Sequence, residues 1–161
     1  MSALSKKKKW LKREFNQSLE RLNLSLKNLN YSYQKCLQIG IKEDYPEDEL
    51  EIFESLTSRF ARTADIFSQK ILTTLFILIK ENPVSFIDKA HLAEKLGIIG
   101  SAKDLQEIRE LRNEIAHEYS MRDISEIFED VLKCTEKLKI ILASAQTYIH
   151  EKIPLDGEDQ E

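Results

Sequence analysis

EDELEIFESLTSRFARTADIFSQKILTTLFILIK, residues 47–80, decides the fold. Phe53, Leu56, Phe60, Ala64, Phe67, Ile71, Leu75 and Leu78 recur every three or four positions, which is the period of one face of an α-helix. Neither Gly nor Pro interrupts the run. Its second half, Ile71–Ile79, is apolar on most faces and is expected to sit centrally, against several neighbours at once. Nine residues are about half of what a bilayer demands, so the stretch is suited to a protein interior and not to lipid.

Working outward, residues 5–39 repeat the pattern with Phe15, Leu19, Leu22, Leu26, Leu29 and Tyr33, a bundle or coiled-coil seam on one long helix. Gly40 and the acidic segment Glu43–Glu49, broken by Pro46, separate it from the helix over 47–80. Asn82-Pro83 ends that helix. Ser85 with Asp88 has the spacing of a capping box for a short helix over 85–96, with Gly97 as its C-terminal stop. Ser101 with Asp104 repeats the signal ahead of a helix over 102–119. Asp123 caps a last helix, 123–152, with Ile124, Phe128, Val131, Leu132, Leu138, Ile141, Leu142 and Ala145 facing inward. The expected architecture is all-α: a single domain over residues 1–153, an up-and-down antiparallel bundle of four long helices and one short one. An acidic tail, 154–161, is expected to be disordered.

Composition supports this reading. Hydrophobic residues make up 42% of the chain and charged residues 32%, the balance of a globular protein. With only 4 Gly and 3 Pro, a fold of many turns and short strands is disfavoured. Cys36 and Cys134 are far apart and both fall in helical patterns, so buried free thiols are expected. Three histidines without Cys/His pairs argue against a structural zinc site, and nothing calls for a cofactor. Lys6–Lys9 is followed by no apolar segment of the signal-peptide kind, so a cytoplasmic location is expected, without membrane contact. The net charge of −4 hides an asymmetry: residues 1–42 carry ten Lys/Arg against two Glu, a net +8, and the rest of the chain carries −12. The basic end is able to attract polyanions that the body repels.

The chemistry concentrates in residues 109–119, Arg-Glu-Leu-Arg-Asn-Glu-Ile-Ala-His-Glu-Tyr. With Arg112 at zero on a helix, Leu105, Ile108, Leu111 and Ile115 fall at about 20°, −40°, −100° and −60°, and Tyr119 at about −20°. Arg112 and Tyr119 therefore border the apolar face. A guanidinium there needs an anionic partner or ligand. Asn113 and His117 are an i, i+4 pair whose side chains are able to touch, so the amide can set the imidazole tautomer. Arg112 and His117 point about 140° apart on an unbroken helix. They serve one ligand only if the helix ends near His117 or if a second subunit supplies the missing half, which favours a dimer.

Arg112-Asn-Glu-Ile-Ala-His117-Glu-Tyr119 resembles the R-x4-H-x-Y motif of HepT-like HEPN proteins, including the Asn after the Arg. Arg59-Phe60-Ala-Arg-Thr63-Ala-Asp65 is similar to the R-F-x-x-T-x-[DE] run of the related nucleotidyltransferase substrate-binding proteins. The resemblance spans about residues 50–145; the lysine-rich start and the acidic tail depart from it. It implies a HEPN-like bundle and a metal-independent endoribonuclease toxin, a homodimer in which both motifs face a shared cleft. It implies Arg112 and His117 as catalytic residues, Asn113 in support, and attack of the ribose 2′-OH on phosphorus. It further implies a minimal nucleotidyltransferase antitoxin that transfers AMP onto Tyr119. Added negative charge beside Arg112 would neutralise the cation that RNA needs.

Other readings stand beside this one. Arg112 is suited to a structural salt bridge, with Asp65 or Glu51 on the second helix as partner. His117 and Asn113 also suit a solvated helix surface, and Tyr119 the edge of a core. Arg59 and Asp65 form a secondary polar site, better suited to structural ion pairing than to catalysis. The Arg59–Asp65 run favours a different function, a non-catalytic substrate-binding subunit that docks on a nucleotidyltransferase.

Overall fold

Helix α1, Ala3–Ile39, runs for 37 residues and opens on Ser2, whose side chain accepts a hydrogen bond from the Ser5 amide. It closes at Gly40, whose φ of 77° lies in the left-handed region that a side chain disfavours. The computed structural model describes residues 2–117 and 122–154. The chain continues through α2 (Glu47–Asp65), a π-helical turn (Ile66–Ile71), α3 (Leu72–Leu78), α4 (Phe86–Lys95), α5 (Ala102–Ala116) and α6 (Ile124–Lys152). The described residues form helices and connections and contain no strand, so the protein is all-α. No helix among them is long and apolar enough to cross a membrane. Tyr119 and, after Pro154, the acidic tail lie outside the described residues.

Local signals stop and start these helices where the residue types dictate. Pro46 precedes α2, whose first turn carries Glu47, Asp48 and Glu49 against the positive end of the helix dipole. Ser85 and Asp88 form a reciprocal capping box, with amide-to-oxygen distances of 3.1 and 3.3 Å. Ser101 caps α5 through the Asp104 amide at 3.1 Å. Here Asp104 does not reciprocate: the Ala102 amide donates instead to Glu94 Oε2 of α4 at 2.5 Å, which ties the two helices together. Asp123 caps α6 through the Ser125 amide at 3.0 Å.

The α1 seam differs from its sequence expectation. Phe15, Leu22, Leu29 and Tyr33 are buried, but Leu19 and Leu26 lie on the flank and are only half-buried. The interior positions between them belong to Ser18, Ser25 and Ser32, spaced seven apart. Small residues let α1 and α2 approach closely, and polar partners satisfy the hydroxyls of Ser25 and Ser32. Ser25 Oγ lies 2.6 Å from Thr63 Oγ1, and Arg59 donates to Ser32 Oγ at 2.7 Å and to the Asn28 carbonyl at 3.0 Å. These pairs set α1 antiparallel to α2. Lys139–Asn30 and Gln146–Asn23 hydrogen bonds, 2.7 and 2.8 Å, set α6 antiparallel to α1.

The rod over 47–78 stays helical throughout, with one irregularity. At the π-turn the Leu72 amide bonds to the Phe67 carbonyl, five residues back. The inserted residue rotates the C-terminal part of the rod, so that Ile71 and Leu72, neighbours in sequence, are both fully buried. Phe76 is buried as well, while Ile77 is exposed, so the central placement expected for Ile71–Ile79 holds for most of the run. The buried side chains form one hydrophobic cluster fed by every helix. At one end Phe53 stacks on Phe128 with centroids 4.5 Å apart, and the Tyr45 ring closes over both at 5.2 and 5.5 Å.

Phe53→Ala removes the ring that joins α2 to α6 and is expected to cost about 3–5 kcal/mol, measured by urea unfolding. Cys36 and Cys134 are free and buried. Burial pushes their thiols up to about 12 and about 11, away from the reactive thiolate. Neither is expected to react with a disulfide reagent at pH 8 until denaturant is added; fast labelling of the native protein would contradict this packing.

Candidate functional site

Arg112 leaves α5 beside Ile108 and Leu111 and reaches across to the last residue of α2. Its Nε donates to Asp65 Oδ1 at 2.6 Å and its Nη2 to Asp65 Oδ2 at 2.7 Å, a two-bond fork between planar groups. Each side chain keeps 31% of its surface exposed, so the pair stands in a wall and is not sealed in the core. The Asp65 hydrogen bonds raise the Arg112 pKa above its usual value, against a smaller opposing effect of desolvation. Arg112 Nη1 makes no hydrogen bond among the described residues.

The pair stands in a cleft of about 460 Å³ between the π-turn, α4 and α5. Ser68, Gln69 and Thr73 line one side, Phe86 and Lys89 another, and Arg109, Arg112 and Asn113 the third. Arg109 lies over the Phe86 ring, 4.2 Å from its centroid, a contact that orients a guanidinium without neutralising it. With Lys89, Arg109 and Arg112 facing one carboxylate, Asp65, the cleft carries a net positive charge in a chain whose total is −4. That balance suits a small anion or a phosphate group, which a guanidinium grips with paired hydrogen bonds.

The π-turn shapes this wall. By shifting the ladder one residue it buries both Ile71 and Leu72 on the core side and turns Ser68, Gln69 and Thr73 toward the cleft. Such turns occur often where a helix serves a site.

Of the residues singled out in the sequence, Arg112, Asn113 and Asp65 meet in this cleft. Arg59 does not: it points to α1, where Ser32 and the Asn28 carbonyl hold it, so Arg59 and Asp65 serve different partners. Of the two salt-bridge partners considered for Arg112, the structure selects Asp65 over Glu51. His117 does not line the cleft. The helix ends at Ala116, and His117 is its cap with φ −97° and ψ 23°, its amide donating to the Asn113 and Glu114 carbonyls. Its side chain is exposed, as is that of Asn113, and no hydrogen bond joins the amide to the imidazole. Just beyond, Arg122 clamps Glu114 of α5 to Asp130 of α6 and so holds the end of α5 against the bundle. Tyr119 lies outside the described residues.

Arg109, Lys89, Phe86, Ser68, Gln69 and Thr73 were not legible as site residues. Arg109 had one signal, its place three residues before Arg112 and about 60° from it on the same helix. The others come from segments whose docking against α5 no spacing announces. Comparison of the chain with protein-family models, with curated proteins and with solved structures returned no match.

In a double-mutant cycle on urea unfolding, Asp65→Ala and Arg112→Ala are expected to show about 1 kcal/mol of coupling, the scale of a well-formed but partly solvated pair. Additive effects would mean that the fork contributes nothing.

Proposed function

We propose that this protein is a HepT-like HEPN endoribonuclease, active as a homodimer and paired with a minimal nucleotidyltransferase. The observation that carries the reading is Arg112, held by Asp65 in an open cationic cleft with Nη1 free of hydrogen bonds to the described residues, about a turn and a half before α5 stops at an exposed His117. The motif residues of the HEPN resemblance are thus an oriented cation and an imidazole open to solvent, the two groups that RNA cleavage needs.

In the proposed reaction an imidazole takes the proton of a ribose 2′-OH, and the oxygen attacks the adjacent phosphorus. The bond to the 5′ oxygen breaks, and that oxygen receives a proton from the second imidazole of the dimer. The products are a 2′,3′-cyclic phosphate and a 5′-hydroxyl end. Arg112 stabilises the charge gathered on the phosphoryl oxygens, and Asp65 fixes the guanidinium plane beforehand. Asn113 supports phosphate binding at the lip of the cleft. Because His117 does not reach the Arg112 cleft in one chain, the reading requires the twofold partner to bring an imidazole to it. AMP transfer to Tyr119 then regulates the enzyme by adding negative charge that opposes the binding of RNA.

One observation favours a second reading. The cleft gathers Arg112, Arg109, Lys89 and Asn113 without His117, which suits a subunit that binds an anionic substrate for a nucleotidyltransferase and cleaves nothing.

Purified protein incubated with single-stranded RNA is expected to generate cyclic-phosphate ends, and Arg112→Ala or His117→Ala each to slow this by roughly a hundred-fold or more. Asp65→Asn, which keeps the shape but loses the charge, is expected to fall between them and the unaltered chain. Intact RNA together with unimpaired binding of a nucleotide would instead establish the second reading. Incubation with the transferase and ATP is expected to leave an adenylyl group on Tyr119, mapped by mass spectrometry.

A further inference from the structure

The first turns of α1 are built against the electrostatics of their own helix. Lys6, Lys7, Lys8 and Lys9 stand at its positive end, with no acidic residue in the first turn. Cations there oppose the helix dipole, and the pairs Lys6/Lys9 and Lys9/Arg13 set like charges on neighbouring turns. Several cations elsewhere in the protein are paired: Lys42 with Glu49, Arg112 with Asp65, Arg122 with Glu114 and Asp130, Lys137 with Glu107. Among the described residues Lys6–Lys9 and Arg13 have no such partner, and Lys6–Lys9 are fully on the exposed side of the helix start. Phe15 is the first buried residue of the helix, so this segment owes little of its ordering to the core.

Trp10, the one tryptophan of the chain, sits amid these cations with 55% of its surface exposed. Around the helix axis Lys6 and Arg13 lie about 40° and 60° to one side of it and Lys7 about 60° to the other. Glu14, about 40° away, is the single acidic neighbour on that face. An aromatic plane flanked by ammonium groups matches a single nucleic-acid strand, whose bases stack while its phosphates are neutralised. A membrane surface fits less well. A helix lying in lipid needs an apolar face, whereas Lys8 stands about 40° from Leu4 and the cations surround the helix.

We infer that the first three to four turns of α1, residues 3–14, are a docking arm for single-stranded RNA, with Trp10 as the stacking platform and Lys6–Lys9 and Arg13 as the phosphate contacts. The inference extends the ribonuclease reading by naming where the strand is held away from the cleft. The Ser25–Thr63 contact puts Asp65 near the level of residue 23 on α1, so Trp10 lies about 20 Å further along that axis. A strand held there is able to continue toward Arg112.

The test uses the full chain and a 2′-O-methylated oligouridylate, which binds but offers no 2′-OH for cleavage. Because Trp10 is the sole tryptophan, its emission reports on the arm alone, and quenching is expected on titration at low salt. A variant with Lys6, Lys7, Lys8 and Lys9 all changed to Gln is expected to bind at least roughly ten-fold more weakly. Its slope of log affinity against log salt is expected to be shallower by about 0.7 for each phosphate that the variant no longer neutralises. Trp10→Ala, followed by anisotropy of a labelled oligonucleotide, is expected to weaken binding by about ten-fold. Gln is a good helix former, and circular dichroism confirms that the helices persist. Unchanged affinity in the lysine variant, or an unquenched Trp10 while the oligonucleotide binds, overturns the arm. Trp10 that responds to phosphatidylserine vesicles and not to the oligonucleotide overturns it in favour of a membrane contact. Binding by the arm with no cleavage of ordinary RNA would sink the ribonuclease reading and leave the arm standing.

Discussion

An arginine placed at the margin of an apolar helix face has to find an anion, and in this protein that requirement joins two helices. Arg112 and Asp65 close a two-bond fork at the point where α2 gives way to the π-turn. The carboxylate outweighs the desolvation of the guanidinium, and the planar match restricts its rotation. The result is a cation whose direction is set before any ligand arrives. Loss of that fork would leave a half-buried charge facing the cleft and would loosen the packing of α5 on α2, on which the other cleft residues depend.

The surrounding packing explains why the cleft is open. The serine row Ser18, Ser25 and Ser32 draws α1 and α2 together, and the π-turn buries Ile71 and Leu72 side by side on the core. Short α4 then supplies Phe86 and Lys89 over the mouth, with Arg109 laid on the Phe86 ring. Each of these contacts serves the core and the cleft together. A π-turn is a costly departure from regular helix geometry, and here its polar residues form one wall of the site.

Charge is divided between the two ends of the chain for reasons that folding alone does not supply. The acidic body pairs several of its cations internally, while the start of α1 concentrates exposed lysines around an exposed tryptophan. Self-repulsion at that end and a positive cleft within a negative protein are both relieved by a polyanion. A ribonuclease reading accounts for both features with one ligand, and this economy favours it over a subunit that binds only a small anion.

Residue spacing alone determined that the chain is helical, where most of its helices begin and end, and which face of each is apolar. These properties are local, set by the helical period, by caps such as Ser85–Asp88 and by stops such as Gly40. Spacing also marked Arg112 as needing a partner, because its position relative to Ile108 and Leu111 is fixed within one helix. It misplaced Leu19 and Leu26, since hydrophobicity cannot reveal that close helix approach favours serine at the interior positions. Tertiary structure decided the rest: Asp65 over Glu51 as the partner, Arg59 turned to α1, His117 left outside the cleft, and Lys89 and Phe86 brought into it. Each of those outcomes depends on how separate helices rotate and dock, and that is a property of the assembled core that no single helix carries.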